Sequence, residues 1–449
     1  MQNIKKVAVV SLGCSKNLID SEQMMACLTE NGFELWENEA DADVIIVNTC
    51  TFIEDARVES INCILEMAEY KKQGSAKLLV VAGCMAQRYK EQIISEMPEV
   101  DLVIGTNEFD RIVDKINEIW GADPECGERV YCSETPLMFE HDRVRTTPGY
   151  TAYLKIAEGC SNHCTYCVIP SIRGDYRSRK IEDIIAEAQK MADVGVKEII
   201  VIAQDTTRYG IDLYGAYRLP QLLSELCRID GIEWVRVHYC YPELVTDELI
   251  DVFAREKKLC NYFDIPIQHC NDRILKLMGR RTNKAEIVDM MKRIRSRIPD
   301  AVIRTSLIVG FPGETEEEFD ELCDFVTEAR FDRMGAFIYS REEDTPAYGM
   351  KNQVEDEEKR RRQEMLMVTQ AAIDDENNLK KVGTTVSVLV EGRDPVIKRY
   401  FGRTYADSVE IDGMVFFTAD KVLNPGDFAY VTVDEAIDMD LMGHLKERE

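Results

Sequence analysis

Residues 158–170 read "EGCSNHCTYCVIP". Cys160, Cys164 and Cys167 stand there in the spacing C-x3-C-x2-C, within eight residues. Three thiolates on so short a loop suit one iron–sulfur cluster and leave the fourth iron of a cubane without a protein ligand. An open metal position is where a cofactor or substrate binds. The alternative is a structural zinc with His163 as fourth ligand, although His163 directly precedes Cys164, which strains a shared tetrahedral geometry.

Working outward, the apolar run before this loop is the first of six, near 152–158, 198–204, 234–240, 262–267, 301–309 and 333–339. Amphipathic helical patterns separate them, for example 181–194 and 315–330. Six βα units predict an open or partial (β/α)6 barrel, with the cysteine loop at the end where such barrels carry their chemistry. Other strand ends hold polar and glycine-rich segments: Gln204 in "VIAQDT" and Gly310, Pro312, Gly313 and Glu314 in "GFPGET".

The cysteine spacing, with Tyr166 before the last cysteine, resembles the radical S-adenosylmethionine (SAM) enzymes. The resemblance implies a [4Fe-4S] cluster on Cys160, Cys164 and Cys167 whose open iron chelates S-adenosylmethionine. It implies reductive cleavage to a 5′-deoxyadenosyl radical, chemistry that side chains alone do not supply. It also implies that Tyr166, Gln204, Arg304, Gly310, Pro312, Gly313 and Glu314 contact that cofactor, glycine letting backbone approach it closely. His238 and His269 read as core histidines without a role.

Residues 5–120 alternate apolar runs at 6–12, 43–49, 78–83 and 101–104 with amphipathic stretches, which predicts an open parallel α/β sheet. In "NLIDSEQMMACLTENGF", Asp20 or Ser21 is the expected N-cap and Gly32 the stop. Three of the runs end in cysteine: "VVSLGC", "VIIVNTC" and "LLVVAGC". Ligands of open α/β sheets bind at the carboxyl ends of strands, so Cys14, Cys50 and Cys84 are expected to converge. Three unrelated buried cysteines are the plainer reading. It explains each one singly, but not the shared placement. A catalytic thiol needs a neighbouring base, and these stretches hold no histidine.

The chain divides by pattern into an α/β domain at 1–120, a turn-rich linker at 121–149, the barrel at 150–353, a linking helix at 354–378 and a small antiparallel β-barrel at 379–449. The linker holds Cys126 and Cys132, and the linking helix shows an apolar stripe through Met365, Val368 and Ala372. Composition is 45% hydrophobic and 31% charged, as in globular proteins, with a net charge of −27. No stretch approaches the roughly 20 apolar residues of a membrane span, and "MQNIKKVAVVSLGC" lacks a signal-peptide layout. Fifteen cysteines, an odd number in a long chain, argue against a disulfide scaffold and for a reducing cytoplasm.

A three-cysteine α/β domain, a C-x3-C-x2-C barrel and a terminal β-barrel together resemble the methylthiotransferases over nearly the whole chain. That resemblance implies a second [4Fe-4S] cluster on Cys14, Cys50 and Cys84 that carries or donates sulfur. It also implies a TRAM-like C-terminal domain and a low-potential reductant such as flavodoxin. One branch of the family modifies adenosine in transfer RNA; the other modifies an aspartate β-carbon of small-subunit ribosomal protein twelve, free or on the small ribosomal subunit. "SLGCSKNLIDSE" and "YLKIAEGCSNHCTYCVIPSIRGDYRSR" resemble the ribosomal-protein branch. Charge agrees: residues 379–449 hold nine Lys and Arg against thirteen Asp and Glu, a balance of −4. An RNA-binding barrel presents a basic face, whereas an acidic one complements a basic protein. The basic run "GRRTNKAEIVDMMKRIRSR" points the other way and reads as the solvated face of a barrel helix.

Overall fold

In the computed structural model, residues 5–120, 128–138 and 140–446 are described. Cys126 lies outside them. The chain forms two compact units. One holds residues 1–146, 157–177 and 340–348; the other holds 147–156, 178–339 and 349–449. The cysteine loop therefore belongs with the N-terminal sheet, and the terminal β-barrel belongs with the (β/α)6 strands. The sequence pattern predicts different boundaries because strand periodicity does not show which loop packs on which core.

The first unit is built on a six-stranded parallel sheet. Its order is Glu34–Leu35, Lys6–Ser11, Val44–Thr49, Leu78–Gly83, Leu102–Gly105, Val130–Tyr131. Both faces are covered, so the strands read as continuous apolar runs. Val7, Val44, Ile46, Val80 and Ile104 pack into one core, and Ala8, Ile45, Val47, Val81 and Val103 into the other. Alternate residues thus serve opposite faces. The expected linker supplies the last, two-residue strand, too short for periodicity to reveal.

The helix Ser15–Glu30 begins five residues before the expected cap. Cys14 stands at its N-cap, and Asp20 and Ser21 are buried inside it. Both look like caps in sequence because short polar residues favour that position. Here their side chains serve tertiary contacts instead. Asn31 closes the helix, and Gly32, at φ +85°, turns the chain away as expected.

In the second unit six parallel strands run in the order Arg333–Ile338, Val302–Val309, Leu259–Asp264, Trp234–Val237, Glu198–Ile202, Thr151–Lys155, an open (β/α)6 sheet. The helix Glu316–Ala329 starts at a capping box of Thr315 and Glu318. The helix Asp356–Leu379 packs on the strand Arg333–Ile338 and is not a free linker. Its expected apolar stripe is wrong. Met365 and Val368 are exposed, and the buried face carries Lys359, Arg362, Leu366, Gln370, Ile373, Asp374 and Asn378. A mostly polar buried face defeats a hydrophobic-period reading.

Strands Thr385–Arg393, Tyr400–Arg403, Val415–Thr418, Asp440–Leu445 and Phe428–Ile437 close a five-stranded barrel in that order. The sequence predicts an antiparallel barrel; one pair, Val415–Thr418 with Asp440–Leu445, is parallel. Residues 403–412 of this barrel meet strand side chains of the (β/α)6 sheet through buried charges. Glu198 is shared by Arg236 at 2.9 Å and Arg403 at 2.6 Å. Arg333 pairs with Asp407 at 2.6 Å, and the Tyr262 hydroxyl donates to Asp412 at 2.6 Å. No described helix is long and apolar enough to cross a membrane.

Candidate cluster site and its relatives

Register brings the three strand-end cysteines together. Lys6–Ser11, Val44–Thr49 and Leu78–Gly83 are adjacent strands, with Ser11 opposite Asn48 and Thr49 opposite Gly83. Their carboxyl ends are level, so Cys14, Cys50 and Cys84 follow at one edge of the sheet. Cys14 is exposed; Cys50 and Cys84 are buried.

Asn17, fully buried, ties the three strand ends to one another. Its Nδ2 donates to the carbonyls of Leu12 at 2.9 Å and Thr49 at 3.0 Å, and its Oδ1 lies 3.8 Å from Cys84 Sγ. Asn48 returns the contact, donating to Asn17 O at 2.9 Å and Ser21 Oγ at 2.8 Å. Ser60 pins Cys50: its hydroxyl accepts from the Cys50 N–H at 3.1 Å and donates to the Cys50 carbonyl at 2.8 Å. The stretch "SLGCSKNLIDSE", which resembles the ribosomal-protein branch, thus contains the residue that organises the site.

Two glycines let these loops meet. A Cβ on Gly13 would stand 2.5 Å from Cys50 Cβ, at φ +83°; one on Gly83 would stand 2.2 Å from Asn48 Oδ1, at φ +93°. Neither position accepts a side chain without moving its neighbour.

The C-x3-C-x2-C loop lies in the same unit. Its entry is closed by Gly159, whose Cβ would stand 2.3 Å from the Asp175 carbonyl, and by the Cys160 N–H donating to Gly174 O at 3.0 Å. Cys160 and Cys164 are buried, Cys167 and Tyr166 are partly buried, and His163 is exposed. The loop leads into the short helix Ile169–Arg173, and Cys84 packs against Val168 and Ile172. The two cysteine sets are therefore neighbours within one unit.

Arg173, missed in the sequence, joins them. It is buried, and its guanidinium donates to Cys84 Sγ at 3.5 Å and Asn17 Oδ1 at 3.0 Å. It pairs with Asp20 at 2.8 Å and Glu158 at 3.0 Å. No sequence spacing links positions 20, 84, 158 and 173.

Burial raises the Cys84 thiol to about 12, although Arg173 opposes the shift, and burial also raises Cys50. Such thiols are poor free nucleophiles, which disfavours a catalytic-thiol reading. Among the described residues no group of three or more His, Cys, Asp or Glu could hold a single metal ion. A cubane is a different ligand, since each thiolate takes its own iron. Each set supplies three thiols, the donor chemistry that fits a cubane with one open iron.

The other expected cofactor contacts lie in the second unit. Arg304 pairs with Asp264 at 3.2 Å and with Asp412 at 3.7 Å. Gly310, at φ +70°, would bring a Cβ within 2.3 Å of Lys359 Cγ, so its packing against a helix alone requires glycine. A Cβ on Gly313, at φ +82°, would stand 3.9 Å from Arg273 Nη1, and Pro312 is buried. The Glu314 carboxylate accepts from the Phe311 N–H at 2.9 Å and faces Arg362 at 3.4 Å, bracing its own turn. Gln204 is partly buried after the strand Glu198–Ile202. His269 Nδ1 accepts from the Asn271 N–H at 2.9 Å and His238 Nε2 meets Ser408 Oγ at 2.9 Å, both core contacts.

Comparisons with known proteins agree with this architecture. Residues 154–326 match the Radical SAM superfamily, residues 6–105 the Uncharacterized protein family UPF0004, and residues 382–445 the TRAM domain. The ribosomal protein uS12 methylthiotransferase RimO of Lachnoclostridium phytofermentans is 52% identical over 445 residues, 98% of this chain and 99% of its own. That of Clostridioides difficile is 52% identical over 442 residues, 98% of each. The radical S-adenosylmethionine methyltransferase TsrM from Kitasatospora setae, solved with cobalamin and a [4Fe-4S] cluster bound, superposes with a TM-score of 0.56. It covers 77% of each chain at 15% identity, a likeness of fold. The superfamily implies S-adenosylmethionine and a [4Fe-4S] cluster as cofactors. On near-complete coverage at about half identity, the chain belongs to the RimO family of radical SAM methylthiotransferases, and it is an enzyme of that kind.

Proposed function

We propose that the protein transfers a methylthio group to the β-carbon of an aspartate in ribosomal protein uS12. The observation that carries this reading is the convergence of two three-thiol sets in one unit, in a chain whose relatives are uS12 methylthiotransferases. When bound, the two clusters and S-adenosylmethionine supply the methyl group, the carried sulfur and a 5′-deoxyadenosyl radical. Cys160, Cys164 and Cys167 hold one [4Fe-4S] cluster, and Cys14, Cys50 and Cys84 hold the second. Asn17 and Ser60 fix the strand ends on which the second set stands. Tyr166, Gln204, Arg304 and the turn through Gly310, Pro312, Gly313 and Glu314 are the proposed surroundings of S-adenosylmethionine, Glu314 acting by shaping the turn. A low-potential reductant such as flavodoxin supplies electrons, and the reaction belongs to the cytoplasm, whose reducing poise keeps such thiols free.

A protein substrate is favoured over tRNA by the C-terminal barrel. Its balance is acidic, and Arg403, only 2% exposed and engaged by Glu198 and Glu391, is not available to phosphate. The reconstituted enzyme, given a peptide of the uS12 target loop and unmodified tRNA in parallel, is expected to add one methylthio mass to the peptide. A gain on tRNA alone overturns the reading.

Gly13→Ala is expected to lower bound iron from about eight to about four per chain, because the added methyl displaces Cys50 from its set. An iron and sulfide assay on the reconstituted variant checks this. An unchanged iron content contradicts the assignment of Cys50.

A further inference from the structure

One cation reaches from the flank of the C-x3-C-x2-C loop to the strand-end set. Arg173 follows the C-x3-C-x2-C loop by six residues, yet its guanidinium reaches the strand-end set. One nitrogen, Nη2, serves Cys84 Sγ at 3.5 Å, Asn17 Oδ1 at 3.0 Å and Asp20 Oδ2 at 2.8 Å. The other, Nη1, serves Glu158 Oε1 at 3.0 Å, and Glu158 lies two residues before Cys160. Arg173 and Asp20 are 3% and 1% exposed, and Glu158 is 6% exposed. A buried charge costs much unless paired, and the two carboxylates provide the pairing. Structural need alone does not require one of its N–H groups to point at a cysteine sulfur.

We propose that Arg173 is a positioning residue that sets the reduction potential of the cluster on Cys14, Cys50 and Cys84. This rests on the assignment of that cluster above. Hydrogen bonds to ligand sulfurs and nearby charge are what tune iron–sulfur potentials. Reduction adds one negative charge to the cluster. A guanidinium beside one ligand stabilises the reduced form more than the oxidised one and moves the potential in the positive direction. Asp20 and Glu158 work in the opposite sense, so the potential is set by three residues together. Because Arg173 and Glu158 flank the C-x3-C-x2-C loop, the same contacts tie the seating of that loop to the electronic state of the second set. Arginine suits the task because its planar fork meets sulfur, amide and two carboxylates at once, which a lysine ammonium does not.

The test uses the full chain with Cys160, Cys164 and Cys167 changed to alanine, so that only the strand-end set can load. About four irons per chain are expected by cysteine-ligand logic. No iron in this chain overturns the cluster assignment itself. With iron bound, an EPR-monitored redox titration is repeated on three further variants. Arg173→Met is expected to shift the midpoint to more negative potential, and Arg173→Lys is expected to shift it less. Asp20→Asn is expected to shift it in the positive direction. Should Arg173→Met fail to load iron, the lysine and asparagine variants still decide. Loaded cluster with unmoved midpoints, or shifts of the same sign for Arg173→Lys and Asp20→Asn, overturns the proposal.

Discussion

Cys160→Ala is expected to abolish both 5′-deoxyadenosine formation and methylthiolation, whereas Cys14→Ala abolishes methylthiolation alone. On the proposed assignment the two cysteines belong to neighbouring sets with separate tasks, so their losses separate by product. Loss of even an outer-sphere partner costs metal sites roughly 10–100-fold, and loss of a direct ligand is expected to exceed about 100-fold. In Cys14→Ala, S-adenosylmethionine cleavage persists under reducing conditions, because Cys160, Cys164 and Cys167 are untouched. Chromatographic quantitation of 5′-deoxyadenosine beside mass spectrometry of the peptide checks the pair. Normal methylthiolation by Cys14→Ala removes Cys14 from the site.

Glu198→Ala is expected to destabilise the second unit by about 3–5 kcal/mol, the cost of breaking a buried pair by removing one partner. Glu198 is fully buried between Arg236 and Arg403; its loss strands the Arg236 guanidinium, whereas Arg403 keeps Glu391 at 2.7 Å. Both arginines also reach backbone carbonyls, Arg236 at Tyr405 and Arg403 at Asp407, but no carbonyl neutralises a charge. Replacing all three side chains by apolar ones of similar volume is expected to recover much of the loss. The pH dependence has a definite sign. Burial pushes the Glu198 carboxyl up, but Arg403 and Arg236 outweigh it and hold the carboxyl at about 2. Its folded pKa is depressed, so its stabilisation is complete above the ordinary carboxylate range and is lost as pH falls towards about 2. Urea unfolding of wild type and variant between neutral and acid pH measures both effects. Equal midpoints contradict the role given to Glu198.

This charged junction also bears on the C-terminal barrel. Arg403, Asp407 and Asp412 face Glu198, Arg333 and Tyr262, so part of the barrel's charge is internal to the unit. Counting charges along the chain treats every one as available to a partner. With Arg403, Asp407 and Asp412 set aside, residues 379–449 keep eight Lys and Arg against eleven Asp and Glu, and this balance of −3 still points away from RNA.

Local pattern alone determined much of this protein. Apolar runs of strand length, each ending in Gly-Cys or Asn-Thr-Cys, were enough to predict a parallel sheet with three thiols at one edge. Strand periodicity is local, and parallel strands in register place equivalent ends together. The C-x3-C-x2-C loop was legible for the same reason, its ligands lying within eight residues. Short-range pattern failed wherever polar groups were buried. Asp20 and Ser21 imitate a helix cap, and the helix Asp356–Leu379 turns its polar side inward, because their partners come from distant segments. Asn17 and Arg173 were invisible as site residues on the same ground: hydrogen bonds and ion pairs leave no periodic trace in the chain. Only the tertiary structure decided that Asn17 ties three strand ends and that a guanidinium beside the C-x3-C-x2-C loop reaches the strand-end set. A buried charge is stable only where the fold gathers its partners, and here they come from positions 17, 20, 84 and 158.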